Sequence, residues 1–588
     1  MHKEGSKRSI QEGIEIEMTI SSIKILLISY TILASFLLLT LYLFKSFQLY
    51  ILCAIALTVL LSISKFRSTQ HILITSLILF FTLRLIFFVG TEFRILPFID
   101  TYWDFAVVRT FLDNKEISIL SDFKGGVSPL EGYSAWPLLH TLEYLFIMVT
   151  GMNPLLAHIL NTLYIPLIPF IFTFLIIRLL HVKLALPLEF VYIASIFYAT
   201  MPDTIYWSLQ LIRNTLGWSF TSMIMFLLLR NHSNRPSYHF TAAILLLFIA
   251  IVLSHHWSSI IIISGFLLYF FSTHIKISGK QTKSDNSINN NFYITCLLFS
   301  TIILIIWWIN YSNIIFEMTN FNKIISIRPT IERWVPTFPP ELTSMPLILF
   351  LRAKMFLIYI PLIIGLYCIY KYYKRHPSSF IKFVFSFTFI IIFLTLFNFV
   401  INLEPTRVIV LFIPFSIVSL SFFYLQIYNI NNSLKLIITY IILPFVTIIS
   451  FIGIFSHSII PSHLYSDLNP LTIGEHPTKI YINEFVKKIN YSNIVNIYSD
   501  DTELLTTLLP SSQLHKIEKL PREIDERFFV YNPNRLILIM KDFFVYRYSA
   551  GGLSYISYYD ALLLKEEIKT NIGKANLLYT DSYSFIYQ

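Results

Sequence analysis

The stretch HILITSLILFFTLRLIFFVGTEFRILPFIDTYWD, residues 71–104, joins a long apolar run to two carboxylates. The run 71–90, as a helix, rises about 30 Å, the thickness of a bilayer's hydrocarbon core. Asp100 and Asp104 follow it, four residues apart with aromatics between them. On a helix that spacing puts both acids on one face, with Cβ atoms about 5–6 Å apart.

The rest of the chain reads the same way. Of 588 residues 55% are hydrophobic and 13% charged, and mean hydropathy is +0.66. Soluble domains carry about 25% charged residues. Apolar runs recur over 25–44, 48–63, 71–90, 154–180, 186–202, 209–229, 239–254, 258–273, 292–309, 346–370, 378–400, 407–427 and 435–457. The reading is a polytopic α-helical membrane protein with about thirteen transmembrane helices. The net charge of +10 is then a matter of loop placement, and no nucleic-acid partner is implied. Cys53, Cys296 and Cys368 lie inside apolar runs, which offers neither a disulfide framework nor a metal site. The first run begins near Lys24 behind a polar tail and lacks a small-residue cleavage site, so it reads as a retained helix.

Lys and Arg placement sets the orientation. Lys3, Lys7 and Arg8 sit in the tail, and Lys65 with Arg67 in the second short connection. Arg178 with Lys183, Arg230 with Arg235, Lys276 with Lys280 and Lys283, and Lys371 with Lys374 and Arg375 follow. A cytoplasmic N-terminus puts every cluster on the cytoplasmic side, and an odd span count puts the C-terminus outside. The expected organisation is a cytoplasmic tail (1–24), a transmembrane domain (25–457) with an external loop (91–153), and an extracytoplasmic α/β domain (458–588). The last is expected from ordinary charge and strand-like NIVNIYS (493–499) and RLILIM (535–540), with helix-like stretches at 480–489, 501–509 and 560–570. It has no glycine-rich phosphate loop, CxxC pair or nucleophile elbow.

Chemistry-bearing residues collect on the external side. Two carboxylates on one helical face either clamp a cation or raise one another's proton affinity, making a proton acceptor. The loop after them mixes apolar and polar residues at helical spacing, which suggests helices lying on the membrane surface. Segment 136–150 is short for a span, and its Trp136, His140, Glu143 and Tyr144 suit an interface. NLEPTR puts Glu404 and Arg407 at an external mouth. Arg407 reads either as a snorkelling anchor or as a bidentate phosphate ligand. Arg352, Lys354 and Arg213 are further cations at external membrane depth, and the first two read as ligands of a phosphate head group. Tyr102, Glu404, Arg213 and the pair His255–His256 are candidate lining of a substrate cavity.

In order and sidedness these pieces resemble the GT-C superfamily of membrane glycosyltransferases. The likeness rests on FIDTYWDFAVVRTFL, on YSAWPLLHTLEYLFIMVTGMNPLLAHILNTLYIPLIPF, on EPTRVIVLFIPF, and on the C-terminal external domain, and it covers most of residues 70–460. Many members carry adjacent acids or acids one residue apart, and a single span before the acidic loop. Here the acids are Asp100 and Asp104, and two further spans precede them. The tail has no WWDYG, which disfavours the oligosaccharyltransferase subgroup; WWIN at 307–310 lies inside a span. The resemblance implies a polyprenyl-phosphate sugar donor, an acceptor that is a glycan, lipid or protein, and inversion in a single displacement. It implies Asp100 as general base, Asp104 in support, and Arg407 on the carrier phosphate. A divalent cation, Mg or Mn, would be held by Asp100 and Asp104 if the enzyme uses one. Two other classes stand beside it: a transporter or flippase of a lipid-linked or anionic substrate, using the same external cations, and a polymerase or ligase of surface polysaccharide, an enzyme of similar look with a large external loop.

Overall fold

A computed structural model describes residues 68–90, 99–115, 136–209, 211–231, 237–274, 287–311, 355–376, 379–397, 413–428 and 437–442, a few isolated positions, and seven strands beyond residue 495. The expected spans at 25–44 and 48–63, most of 435–457, Glu404, Arg407, Arg352, Lys354 and the tail's helix-like stretches lie outside these residues. For Asp100, Tyr102 and His256 the backbone alone is described.

The helices are α1 (Thr69–Gly90), α2 (Ile99–Asn114), α3 (Leu138–Thr150), α4 (Pro154–Tyr164), α5 (Leu167–Lys183), α6 (Leu188–Thr200), α7 (Pro202–Ser208), α8 (Arg213–Arg230), α9 (Tyr238–Ser254), α10 (His256–His274), α11 (Ser287–Tyr311), α12 (Ile360–Arg375), α13 (Ser379–Phe397) and α14 (Ile413–Tyr428). A π turn, Met355–Tyr359, leads into α12. The apolar stretch Pro154–Lys183 is 30 residues long and Phe356–Arg375 is 20, each enough to cross a bilayer.

Sidedness of the helices agrees with lipid surroundings. Leu298, Ile302, Ile305, Ile306 and Ile309 form an exposed stripe on α11, and Ile360, Ile363, Ile364 and Tyr367 one on α12. Steps of three and four residues define one helix face, and in water that face would turn inward. Meanwhile Thr75, Ser195, Thr388 and Ser421 are buried. Each hydroxyl donates to the carbonyl four residues back, at 2.6, 2.7, 2.8 and 2.7 Å. With no water available, every polar group must find such a partner. The protein is a polytopic helical membrane protein.

The bundle packs α1 on α6, α5 on α6 and α8, α8 on α9, α10 on α11 and α13, and α12 on α14. Small residues set the closest contacts, as expected where apolar area gives no preference for protein over lipid. A Cβ at Gly365 would lie 2.0 Å from the Ser419 carbonyl oxygen, and one at Gly217 would lie 2.4 Å from Ser258 Oγ. Pro169 has no N–H to give the Ile165 carbonyl, so α4 and α5 are separated by a turn. Ser219 Oγ on α8 donates to that carbonyl at 3.2 Å.

Helices α2, α3 and α4 pack on one another, and α3 also touches α8 and α9. TGMNP (150–154) makes the α3–α4 corner. Gly151 takes φ +64°, the left-handed geometry that ends a helix. Asn153 Oδ1 then accepts from the Leu155 and Leu156 N–H groups, with Pro154 at the first helical position.

In the tail, β1 (Asn496–Ser499) and β3 (Arg535–Met540) coincide with the two stretches read as strands. With β2 (Ile517–Lys519), β6 (Leu577–Thr580) and β7 (Ser584–Tyr587) they form a sheet of order β2-β1-β3-β7-β6. Its first three strands are parallel, and β7 is antiparallel to both β3 and β6. Strands β4 (Arg547–Ser549) and β5 (Gly552–Ser554) make a separate antiparallel pair.

Gly365→Ala is expected to lower stability by about 1–3 kcal/mol, because backbone and not a flexible side chain occupies the Cβ position. Thermal unfolding in detergent measures it, and an unchanged midpoint would contradict this packing.

Candidate functional site

Asp104 lies in the second turn of α2 and is fully buried. His140 Nε2–H donates to its Oδ1 at 2.7 Å. Arg213 Nε lies 3.1 Å from the same oxygen. The arginine contact is an ion pair without the alignment of a hydrogen bond. A buried carboxylate survives as a charge only when paired and hydrogen-bonded, and both conditions are met here by residues of two other helices. Beside it, His158 Nδ1–H of α4 donates to Glu143 Oε1 of α3 at 2.7 Å, and both residues are buried.

The two pairs share α3 as their middle member. His140 and Glu143, three apart, fall on one face of that helix. His140 reaches forward to α2 and Glu143 back to α4. Phe111 of α2 meets the His140 ring edge-on at 6.3 Å, and Phe105 meets the His158 ring at 5.2 Å. Asp104 Oδ2, His140 Nδ1, Glu143 Oε2 and His158 Nε2 have no hydrogen-bond partner among the described residues. Each therefore keeps an unused hydrogen-bonding position. On the same helix as Asp104, burial pushes the Arg109 guanidinium below its ordinary value, and Asp113 opposes the shift.

The residues expected to suit an interface, Trp136, His140, Glu143 and Tyr144, pack against protein. All four are buried. The outward face of α3 carries Leu142, Leu145, Met148 and Val149, the last 85% exposed. The helix is about 20 Å long, short of a span as expected, but it turns its polar face to protein and its apolar face outward. Sequence reasoning missed His158 altogether, and it missed His140 and Glu143 as paired groups. The available signal was polar residues three apart in an otherwise apolar helix.

Arg213 was expected one turn inside a span; it is the first residue of α8, with a side chain 17% exposed and bound to Asp104. His255 caps the end of α9 and is buried, its Nδ1 accepting from Ser258 Oγ at 3.2 Å. It packs against Gly217, one turn along α8 from Arg213. Asp100 lies in the first turn of α2, one helical turn before Asp104.

A cation unnoticed in the sequence lies beneath. Arg84 of α1 is fully buried. Its Nε donates to Ser208 Oγ at 2.6 Å, and its Nη1 donates to the carbonyls of Phe80 and Ala199 at 3.0 and 3.3 Å. Its guanidinium carbon stands 3.6 Å from the Phe80 ring centroid. An arginine within a span costs about 2.5–3.5 kcal/mol on insertion scales, and these contacts offset part of that.

The described residues do not fit a divalent cation at Asp104. Its Oδ1 already faces a guanidinium and an imidazole N–H, and no three His, Cys, Asp or Glu side chains among the described residues converge.

No family model matches the chain, and no curated protein matches it. Among solved structures it is similar to ArnT from Cupriavidus metallidurans bound to undecaprenyl phosphate, at 11% identity and TM-score 0.48 over 87% of this chain and 97% of that one. It is similar to the Archaeoglobus fulgidus oligosaccharyltransferase AglB in complex with an inhibitory peptide and a dolichol-phosphate, at 10% identity and TM-score 0.44 over 84% and 74%. The Archaeoglobus fulgidus oligosaccharyltransferase in complex with Zn and sulfate gives 11% identity and TM-score 0.45 over 82% and 72%.

Arg213→Met would leave Asp104 buried against His140 alone and is expected to cost about 3–5 kcal/mol of stability. Asp104→Leu combined with Arg213→Met is expected to cost less than the sum of the single changes, since it removes both charges. Denaturant or thermal unfolding of the purified variants reads the cycle; additive losses would remove the ion pair from this account.

Proposed function

We propose that the chain is a membrane glycosyltransferase of the GT-C kind. It moves a sugar from a polyprenyl-phosphate-linked donor to a glycan, lipid or protein acceptor at the external membrane face. The observation that carries the reading is the buried Asp104, tied to His140 and Arg213 at the head of the bundle. That chain fixes α2 against α3 and α8, and so fixes the turn that carries Asp100.

The two acids then divide the work. Asp104 is committed to Arg213 and His140 and acts as the anchor. Asp100 is the general base. It takes the proton of the acceptor hydroxyl as that oxygen attacks the anomeric carbon. The bond from the anomeric carbon to the carrier phosphate breaks on the opposite face, with inversion, and its electron pair stays on the phosphate oxygen. Arg407, with Arg352 and Lys354, meets that negative charge. Arg213 adds positive potential beside Asp100. Tyr102, Glu404, His255 and His256 belong to the cavity wall in this reading.

The N-terminus is cytoplasmic and the 458–588 domain extracytoplasmic, where it serves as a lid or docking unit over the cavity. A transporter or flippase would share the lipid and the cations but form no glycosidic bond.

In purified protein with a polyprenyl-phosphate sugar, Asp100→Asn is expected to lower kcat by about 10²–10⁴-fold. Arg407→Ala is expected to lower it by about 10²–10³-fold. Product analysis by mass spectrometry measures both. Full activity of Asp100→Asn would sink the base assignment, and counterflow without any glycosidic product would favour the transporter.

A further inference from the structure

We infer that Arg84 is a positioning residue for the site: it holds the α7–α8 corner that delivers Arg213 to Asp104. The inference rests on the glycosyltransferase reading for its functional consequence, and on geometry alone for its structural one.

Arg84 is a buried cation, and no carboxylate pairs with it among the described residues. In a span an ionisable side chain is a functional candidate by default. Its contacts join three helices. It binds the last residue of α7 through Ser208 Oγ, the end of α6 through the Ala199 carbonyl, and its own helix through Phe80. Ser208 Oγ in turn donates to the Ile205 carbonyl, and Thr204 Oγ1 donates to those of Tyr198 and Met201. The short helix α7 is therefore secured at both ends, at its start by Thr204 on the end of α6 and at its close by Arg84 of α1.

Arg213, the first residue of α8, follows Ser208 by only five positions in the chain. That corner is pinned from the other side as well. Thr215 Oγ1 donates to the Trp207 carbonyl at 3.4 Å. Leu211 packs with Leu139 of α3 and Leu216 of α8. Leu139 neighbours His140, the second partner of Asp104. Arg84 thus lies under a corner whose two exits are the cation and the imidazole that hold the acid. A guanidinium suits this role because its planar fork binds several acceptors in fixed directions, which an ammonium does not.

Ser208→Ala and Arg84→Lys are the informative variants, since each keeps most of the packing; Arg84→Met is the severe one. In the transfer assay both milder variants are expected to lower kcat by about tenfold to a hundredfold with little change in KM, as expected for misplacement of a site group. Made in an Arg213→Ala background, each is expected to have almost no further effect on kcat, because the group it positions is gone. Equal losses in both backgrounds would mean that Arg84 supports folding only, and would overturn the inference. Should the wild-type protein transfer no sugar at all, the glycosyltransferase reading fails, and thermal unfolding still tests the geometry. Ser208→Ala is then expected to lower the midpoint less in an Asp104→Asn background than in the wild type, and additive shifts would overturn it.

Discussion

A charge placed beyond the reach of water must be paired, and Asp104 is where this chain meets that constraint. The carboxylate cannot remain ionised at full burial without both a cation and a hydrogen-bond donor. Arg213 supplies the first and His140 the second. Because these come from α8 and α3, one buried charge locks three helices in register. Glu143 and His158 repeat the device one layer on and bring in α4. Sliding any of these helices would strand an unpaired polar group in a dry interior, at far greater cost than any apolar contact could offset.

That constraint explains the sidedness of α3. Between helices in lipid, apolar area gives no direction, since hydrocarbon is as good a neighbour as leucine. Polar pairing and close packing of small residues choose the face instead. His140 and Glu143 turn inward because their partners are there, and Leu142, Leu145, Met148 and Val149 are left outside. The same logic puts Gly365 on the Ser419 backbone and Gly217 on Ser258. It also makes hydroxyl groups such as those of Thr75, Ser195, Thr388 and Ser421 safe within spans, since they return their protons to their own helices.

On the glycosyltransferase reading, the site separates rigidity from reactivity. Two acids on one helix have different fates, one fixed by an ion pair and one left for chemistry a turn away. Arg84 extends the rigid part downward into the bundle. The buried cations and histidines tie α2, α3, α4, α7 and α8 to one another and to α1.

Much was legible in the sequence, and for plain reasons. Composition and run length gave the membrane class, since a bilayer's thickness is read directly from apolar stretches. Local chemistry gave a helix over 138–150 too short to span, the strands at 496–499 and 535–540, and the shared helical face of Asp100 and Asp104. Only the tertiary structure assigned partners. Arg213 passed as a cavity cation and became the counter-ion of Asp104. His140 and Glu143 passed as interface residues and became the buried middle of two pairs, and His158 and Arg84 drew no notice. Periodicity tells which residues share a face of a helix. Which face meets protein and which meets lipid depends on partners carried by other helices, Asp104 and His158 for α3 and Arg213 for α2, and only folding brings those together.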